Sequence, residues 1–338
     1  MKAVVCIKPG LLEYKNIKAP DPEAGHSIIR IKRIGICGTD LHAFTGTQPY
    51  FQYPRILGHE LSGDFVEGDG TDGFVPGERL TFIPYFSCNH CIACRNGKPN
   101  CCEAIRVCGV HIDGGMTEYL SVPNESLLKS EGLSYEELAL VEPFSIGAHA
   151  VRRGGLQKRE MVLVIGAGPI GISRMEFARI AGAEVIGMDI SESRLSFCKE
   201  KLGIHKIINS ANENAVERLK ELTSNDMPAA VFDVTGNIAA INEGFQFIAH
   251  GGKYILVGLQ KGNIAFSHPE FHKREATLMS SRNATKEDFS YVIDCIKQHR
   301  INPLAFITHV AGFEKLVEEF QKWLNPENAV IKAMVTLN

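Results

Sequence analysis

The hydrophobic and polar positions change rhythm once along the chain. Up to about Gly147 the apolar residues come in short runs. Residues 27–36 alternate apolar and polar positions, as a strand buried on one face does. Shorter β-like runs recur at 61–66, 79–83 and 116–122. Clusters of Gly, Pro and Asp, such as GDGTDGFVPGE, separate them and predict turns. A helical pattern over 134–152 closes this part, and Glu142-Pro143 reads as the start of a turn. Residues 161–165 then form a continuous apolar run, the pattern of a strand covered on both faces. A glycine-rich turn, a helix over 169–181 and a strand over 184–188 ending in Asp189 follow. Further strands are predicted at 206–208, 230–234 and 254–257. Alternating strands and helices predict an α/β, doubly wound parallel sheet. After about Arg282 the pattern is helix, loop, helix and a last strand at 330–337.

At 338 residues the chain is too long for one compact core, so two domains are expected. The charge sum of −3 offers no electrostatic reason to bind nucleic acid or an anionic membrane surface. No apolar stretch approaches the ~20 residues that cross a bilayer. MKAVVCIKPG lacks the apolar region and cleavage site of a signal peptide. A cytoplasmic location follows as the expectation.

Ten cysteines are many for such a chain. Four of them, Cys88, Cys91, Cys94 and Cys102, stand in C-x-x-C-x-x-C-x7-C. Four thiolates at that spacing can close a tetrahedral zinc site with no open position, which staples a loop. Cys101 adjoins Cys102 and leaves the fourth ligand open between the two. His90, inside the loop, reads as solvated. Cys6, Cys101, Cys108, Cys198 and Cys295 fit no ligand pattern and read as small buried or half-buried side chains.

Gly166-Ala167-Gly168-Pro169-Ile170-Gly171 lies directly between a strand and a helix. The first glycine makes the tight turn, the second admits a pyrophosphate, and the third lets helix and strand pack closely. The helix N-terminus offers free N–H groups to phosphate. Asp189 ends the next strand, where a carboxylate accepts bonds from the ribose hydroxyls of NAD and repels the extra phosphate of NADP. The alternative is a helix-capping aspartate before Ser191, which the surrounding motif disfavours. A third signal is dispersed. Gly35-Ile36-Cys37-Gly38-Thr39-Asp40-Leu41-His42 brings a thiol, a hydroxyl and an imidazole into one loop, Gly58-His59-Glu60 follows, and Glu142 comes much later. Cys, His and Glu form a mixed ligand set of the kind in which zinc keeps a position open for substrate.

GICGTDLH, GHE, the four-cysteine loop, DGGMTEY, VEP and VIGAGPIG, in that order over nearly the whole chain, resemble the zinc-dependent medium-chain alcohol dehydrogenases. The resemblance implies a GroES-like β-rich catalytic domain, residues 1–147 and 284–338, around an inserted Rossmann NAD-binding domain, 148–283, with the active site in the cleft between them. It assigns Cys37, His59 and Glu142 to the catalytic zinc, with Glu60 as the acid that binds the metal directly or exchanges with Glu142 or water. Thr39 and His42 match the proton relay. Arg194 lies where a basic side chain packs on adenine. Thr235, Gly236, Val257, Gly258 and Leu259 match strand ends that line the cofactor, and Ser281 and Arg282 the return to the catalytic domain. Within the family, GTQPYFQYPRILGHE, CGVHIDGGMTEYLSVP and PEFHKREATLMSSRNAT resemble the bacterial L-galactonate 5-dehydrogenase group.

What the resemblance implies is reversible oxidation of a secondary alcohol to a ketone with NAD and two zinc ions per chain, one catalytic and one structural. The implied substrate is a sugar acid such as L-galactonate. A polyol of the sorbitol or L-idonate kind, or L-threonine, is the alternative. His111, His272 and Lys273 are the candidate substrate contacts. The expected partners are this small polar substrate and further copies of the chain, as a dimer or tetramer, with neither nucleic acid nor membrane. A zinc-free quinone reductase on the same fold would lack the ligands at Cys37, His59 and Glu142.

Overall fold

The computed structural model describes every residue except Tyr50, Gly70, Thr71, Asp72 and Ser130. The centre of the expected GDGTDGFVPGE turn, and Tyr50 of the GTQPYFQYPRILGHE segment, lie outside the described residues. Two compact units divide the chain: residues 1–145 with 285–338, and residues 146–284.

The second unit is built on six parallel strands in the order Lys206–Asn209, Glu184–Asp189, Met161–Ile165, Ala230–Asp233, Lys253–Leu256, Thr277–Ser280. The two central strands, MVLVI and AVFD, are buried almost throughout, as their continuous apolar runs require. Met161–Ile165 pairs with Glu184–Asp189 on one side and Ala230–Asp233 on the other. The chain therefore reverses its direction of winding at this strand, and the crevice of such a sheet opens at its carboxyl end. The glycine loop sits there. Gly166 has φ +101, which favours glycine, and a Cβ on Gly171 would lie 1.8 Å from the Gly166 carbonyl oxygen. Two glycines of the motif are thus required by backbone geometry before any ligand is considered.

In the first unit the main sheet runs Leu127–Lys129, Arg79–Phe82, Glu60–Gly68, His26–Ile36, Lys332–Thr336, Ile307–Gly312, with Tyr119–Pro123 also paired to His26–Ile36. Ile29, Ile31, Ile34, Leu61, Leu80 and Val335 from these strands form the centre of its core. The register places Glu60 opposite Gly35 and Ala333 opposite Ile36. Three chain segments far apart in sequence therefore reach the same end of one sheet.

Several sequence expectations need correction. Glu142 and Pro143 do not begin a turn: both lie inside the 20-residue helix Tyr135–Gly154. Proline removes one helical N–H, but the helix continues, with Leu138–Phe144 buried on its way through the unit. The loop expected between the last two helices contains the strand Ile307–Gly312, which pairs in parallel with Lys332–Thr336. Its burial is only partial, so it carries no apolar run to read. Thr277–Ser280 escaped notice for a related reason: it is the largely exposed edge of the parallel sheet. The strand expected over 116–122 is Tyr119–Pro123, and Thr117 instead forms an isolated bridge to Ala3. Cys101 is exposed, neither buried nor half-buried. No helix among the described residues is long and apolar enough to cross a membrane.

The Gly171 contact gives a direct test. Gly171→Ala is expected to lower stability by about 3 kcal/mol, at the upper end of overpacking costs because the clash is with backbone. Urea unfolding followed by circular dichroism measures it, and an unchanged midpoint would show that the loop relaxes freely.

Candidate active site

The strand His26–Ile36 ends directly before Cys37, which caps the helix Gly38–Thr45. Asp40 fixes this corner. Its Oδ2 accepts the Cys37 backbone N–H at 3.0 Å, and its Oδ1 accepts that of Gly58 at 3.1 Å. The second bond ties the corner to the segment leading into His59, whose Nδ1 lies 3.8 Å from Asp40 Oδ1. Asp40 is fully buried, and burial lifts its carboxyl above the usual range against the pull of His59. The Cys37 thiol, a His59 ring nitrogen and a Glu60 carboxylate oxygen all lie within 4.8 Å of one another, and all three residues are buried. Burial opposes a charge on His59, but Asp40, Cys37 and Glu142 outweigh it and push the imidazole well above its usual range. His59 Nδ1 has no hydrogen-bond partner among the described residues.

Glu142 is also buried but does not belong to that three-atom group. Its Oε1 accepts the Tyr85 hydroxyl. Burial, reinforced by Glu60, pushes the Glu142 carboxyl up to about 7, with His59 and Tyr85 acting the other way. Glu60 faces a different neighbour: both of its oxygens lie 2.7 Å from Lys332 Nζ. Asp40, Tyr85 and Lys332 were given no role from the sequence. Asp40 was within reach, since an acid three residues after a helix cap is a capping signal. Lys332 was not, because 272 residues separate it from Glu60.

The thiols of Cys88, Cys91, Cys94 and Cys102 form the second cluster. Backbone N–H groups of Cys88 and Cys91 point at Cys102 Sγ (3.2 Å) and Cys88 Sγ (3.3 Å). N–H groups of Cys94 and Glu103 pull the Cys91 thiol down to about 6, which favours the thiolate that a metal needs. Between the two adjacent cysteines, Cys102 is the one in the cluster, while Cys101 faces out from a single 3-10 turn, Pro99–Cys101. His90 is exposed and its Nδ1 lies 2.6 Å from the Cys88 carbonyl oxygen.

In the second unit, Gly168 caps the helix Pro169–Ile180, and a Cβ built on it would meet nothing within 4 Å. Open space therefore lies over this helix N-terminus, whose free N–H groups are able to receive an anion. Asp189 is buried and accepts N–H groups from Ala167 at 2.6 Å and Ser191 at 2.8 Å, with Arg194 at 3.8 Å. It thus holds the glycine loop and caps the following turn at once. Thr235 donates through both its N–H and its hydroxyl to Asp233. A Cβ on Gly258 would lie 2.2 Å from Gly236 N, so the two strand-end loops touch backbone to backbone. Val257 N–H bonds the Asp233 carbonyl, and Leu259 is exposed beside this loop. Ser281 is buried, and its hydroxyl has no partner among the described residues. Arg282 is exposed.

Thr39 and His42 lie three residues apart on the helix Gly38–Thr45, hence on one face. Thr39 is half-buried; His42 is exposed, with its Nδ1 3.0 Å from Thr47 Oγ1. Among the candidate substrate contacts, His111 Nδ1 accepts the Val107 N–H. His272 packs edge-on against His268, and Lys273 pairs with Glu270 on its own short helix.

A buried Cys–His–Glu group, a four-cysteine loop and a glycine loop at the switch of a parallel sheet define a zinc-type dehydrogenase. Residues 169–298 match the zinc-binding dehydrogenase family model, and residues 23–132 match that of the alcohol dehydrogenase GroES-like domain. The chain belongs to the zinc-type alcohol dehydrogenase family and is an oxidoreductase. It is 41% identical to the L-galactonate-5-dehydrogenase of Escherichia coli K12 over 99% of both chains. It is 33% identical to the sorbitol dehydrogenase of Bacillus subtilis 168, over 100% of this chain and 98% of that one. Among solved structures, an Escherichia coli CFT073 alcohol dehydrogenase complexed with NADH superposes with a TM-score of 0.93 at 30% identity, covering 100% of this chain and 99% of the other.

The Asp40 corner is testable. Asp40→Ala leaves the N–H groups of Cys37 and Gly58 without their acceptor in a buried place. At ~1–3 kcal/mol for each unsatisfied group, a loss of about 2–6 kcal/mol is expected in urea unfolding. A loss below about 1 kcal/mol would mean that the corner is held by something else.

Proposed function

We propose that this chain is a zinc-dependent, NAD-dependent dehydrogenase that oxidises a secondary hydroxyl of a sugar acid such as L-galactonate to a keto acid. The observation that carries the chemistry is the buried Cys37–His59–Glu60 group, with the Glu142 carboxyl near enough to be raised by Glu60 as well as by its own burial. Its sulfur, nitrogen and oxygen donors suit zinc with a position left for substrate. The burial of all three donor residues supports this fit. Cys88, Cys91, Cys94 and Cys102 would hold a second, structural zinc.

The open space over Gly168, the buried unpartnered hydroxyl of Ser281 and the carboxylate of Asp189 fit a dinucleotide. In this reading Asp189 selects NAD over NADP, Arg194 packs on the adenine, and Thr235, Gly236, Val257, Gly258, Leu259 and Arg282 line the rest. Residues 1–147 and 284–338 serve as the catalytic domain and 148–283 as the cofactor domain, in a cytoplasmic homo-oligomer. Zinc, when bound, supplies a Lewis acid and NAD the hydride acceptor. Thr39 takes the substrate's proton, because a hydroxyl both accepts and donates. His42, at the exposed end of the same helix face, passes it to solvent. His111, His272 and Lys273 are proposed to meet the substrate's polar groups.

The sugar-acid assignment rests on the likeness to the L-galactonate enzyme; the likeness to a sorbitol dehydrogenase supports a neutral polyol as the second reading. A panel of aldonates, polyols and L-threonine, followed by NADH formation, separates them. L-Galactonate should give the highest kcat/KM, and faster turnover of sorbitol would overturn the assignment. In the same assay Thr39→Val should lower kcat about 100-fold, the scale of lost acid–base assistance, with NADH affinity unchanged. A variant as fast as the wild type would remove Thr39 from the relay.

A further inference from the structure

Lys332 opens the last strand, Lys332–Thr336, yet is only 3% exposed. Because Ala333 pairs with Ile36, Lys332 comes level with Cys37 at the end of the sheet. Its Nζ lies 2.7 Å from Glu60 Oε1, 2.7 Å from Glu60 Oε2 and 3.1 Å from the Ile36 carbonyl oxygen. An ammonium has three donors, so these three acceptors saturate it, and both Glu60 oxygens are engaged by one cation. The carboxylate is confined from the other side too. A Cβ on Gly35 would lie 2.2 Å from Glu60 Oε2, so the carboxylate occupies the space that glycine leaves free. Held there, it still keeps an oxygen within 4.8 Å of the Cys37 and His59 donor atoms.

We propose that Lys332 is a positioning residue that restrains Glu60 beside the metal ligands, so that Glu60 can bind the metal only by giving up bonds to Lys332. This rests on the zinc reading of the Cys37 group. Lys332 then sets the strength and openness of the site in two ways. It competes with the metal for the same oxygens, and its positive charge disfavours a dication in a buried place. The consequence has an unusual sign. Damage to a metal site ordinarily weakens binding; loss of Lys332 should strengthen it, by releasing Glu60 as a full ligand, and should weaken substrate binding by closing the position that substrate needs.

The test measures zinc affinity by chelator competition on wild type, Lys332→Met, Lys332→Arg and Glu60→Gln, with the four-cysteine zinc as internal control. Lys332→Met should hold the zinc of the Cys37 group at least 10-fold more tightly, with KM raised at least 10-fold, because the released Glu60 competes with substrate for the open position. Lys332→Arg keeps the charge and should stay within about 3-fold of wild type in affinity, since a cation can still pair with the carboxylate. Glu60→Gln leaves the Lys332 charge without its counterpart and should weaken zinc at least 10-fold. It also supplies the answer if Lys332→Met does not fold. Equal or weaker zinc binding in Lys332→Met, or unchanged affinity in Glu60→Gln, overturns the proposal while leaving a zinc-binding wild type intact. A wild type that takes up no zinc at the Cys37 group overturns the zinc reading and the proposal together.

Discussion

At its Gly35–Ile36 end the strand His26–Ile36 lies between two antiparallel partners, and their registers bring Glu60 opposite Gly35 and Ala333 opposite Ile36. Register in a sheet is all or nothing: a slip of one residue turns every side chain to the other face. Here it is pinned by the core that Ile29, Ile31, Ile34, Leu61 and Val335 share. Once that core forms, Cys37, Glu60 and Lys332 have no choice but to meet. Asp40 adds the fourth member by tying the N–H groups of Cys37 and Gly58 together and so delivering His59. The placing of Cys37, Glu60 and Lys332 is therefore a consequence of strand pairing.

Such a corner costs stability. Asp40, Glu60, Glu142 and Lys332 are all buried, and taking charges out of water is only partly offset by pairing them. The result is visible in the carboxyls of Asp40 and Glu142, both raised by burial. A well-packed apolar corner would be more stable. A concentration of perturbed, buried titratable groups is what a catalytic site needs. The four-cysteine loop shows the opposite economy: its thiols are gathered by local turns, and backbone N–H groups, helped by the neighbouring thiols, move Cys91 toward the thiolate.

What could be read from the sequence divides along the same line. The glycine loop and the four-cysteine loop are contiguous, and each residue type has a local reason for its place. The central strands were legible because burial on both faces leaves an unbroken apolar run. Ile307–Gly312 and Thr277–Ser280 were not, since an edge or half-covered strand needs no such run. Pro143 was misleading: a proline that usually ends a helix sits within one here. Lys332 was beyond reach altogether. Nothing near it in the chain distinguishes it from a surface lysine, and only the register of two strands gives it a carboxylate.

X-ray absorption at the zinc edge of the purified protein, taken with a zinc count, bears most directly on the central claim that one cluster is closed and the other open. Two zinc ions per chain are expected, one for each cluster, one bound by four sulfurs and the other by a single sulfur with nitrogen and oxygen. A single all-sulfur zinc per chain in a preparation with full NAD-linked activity would contradict it.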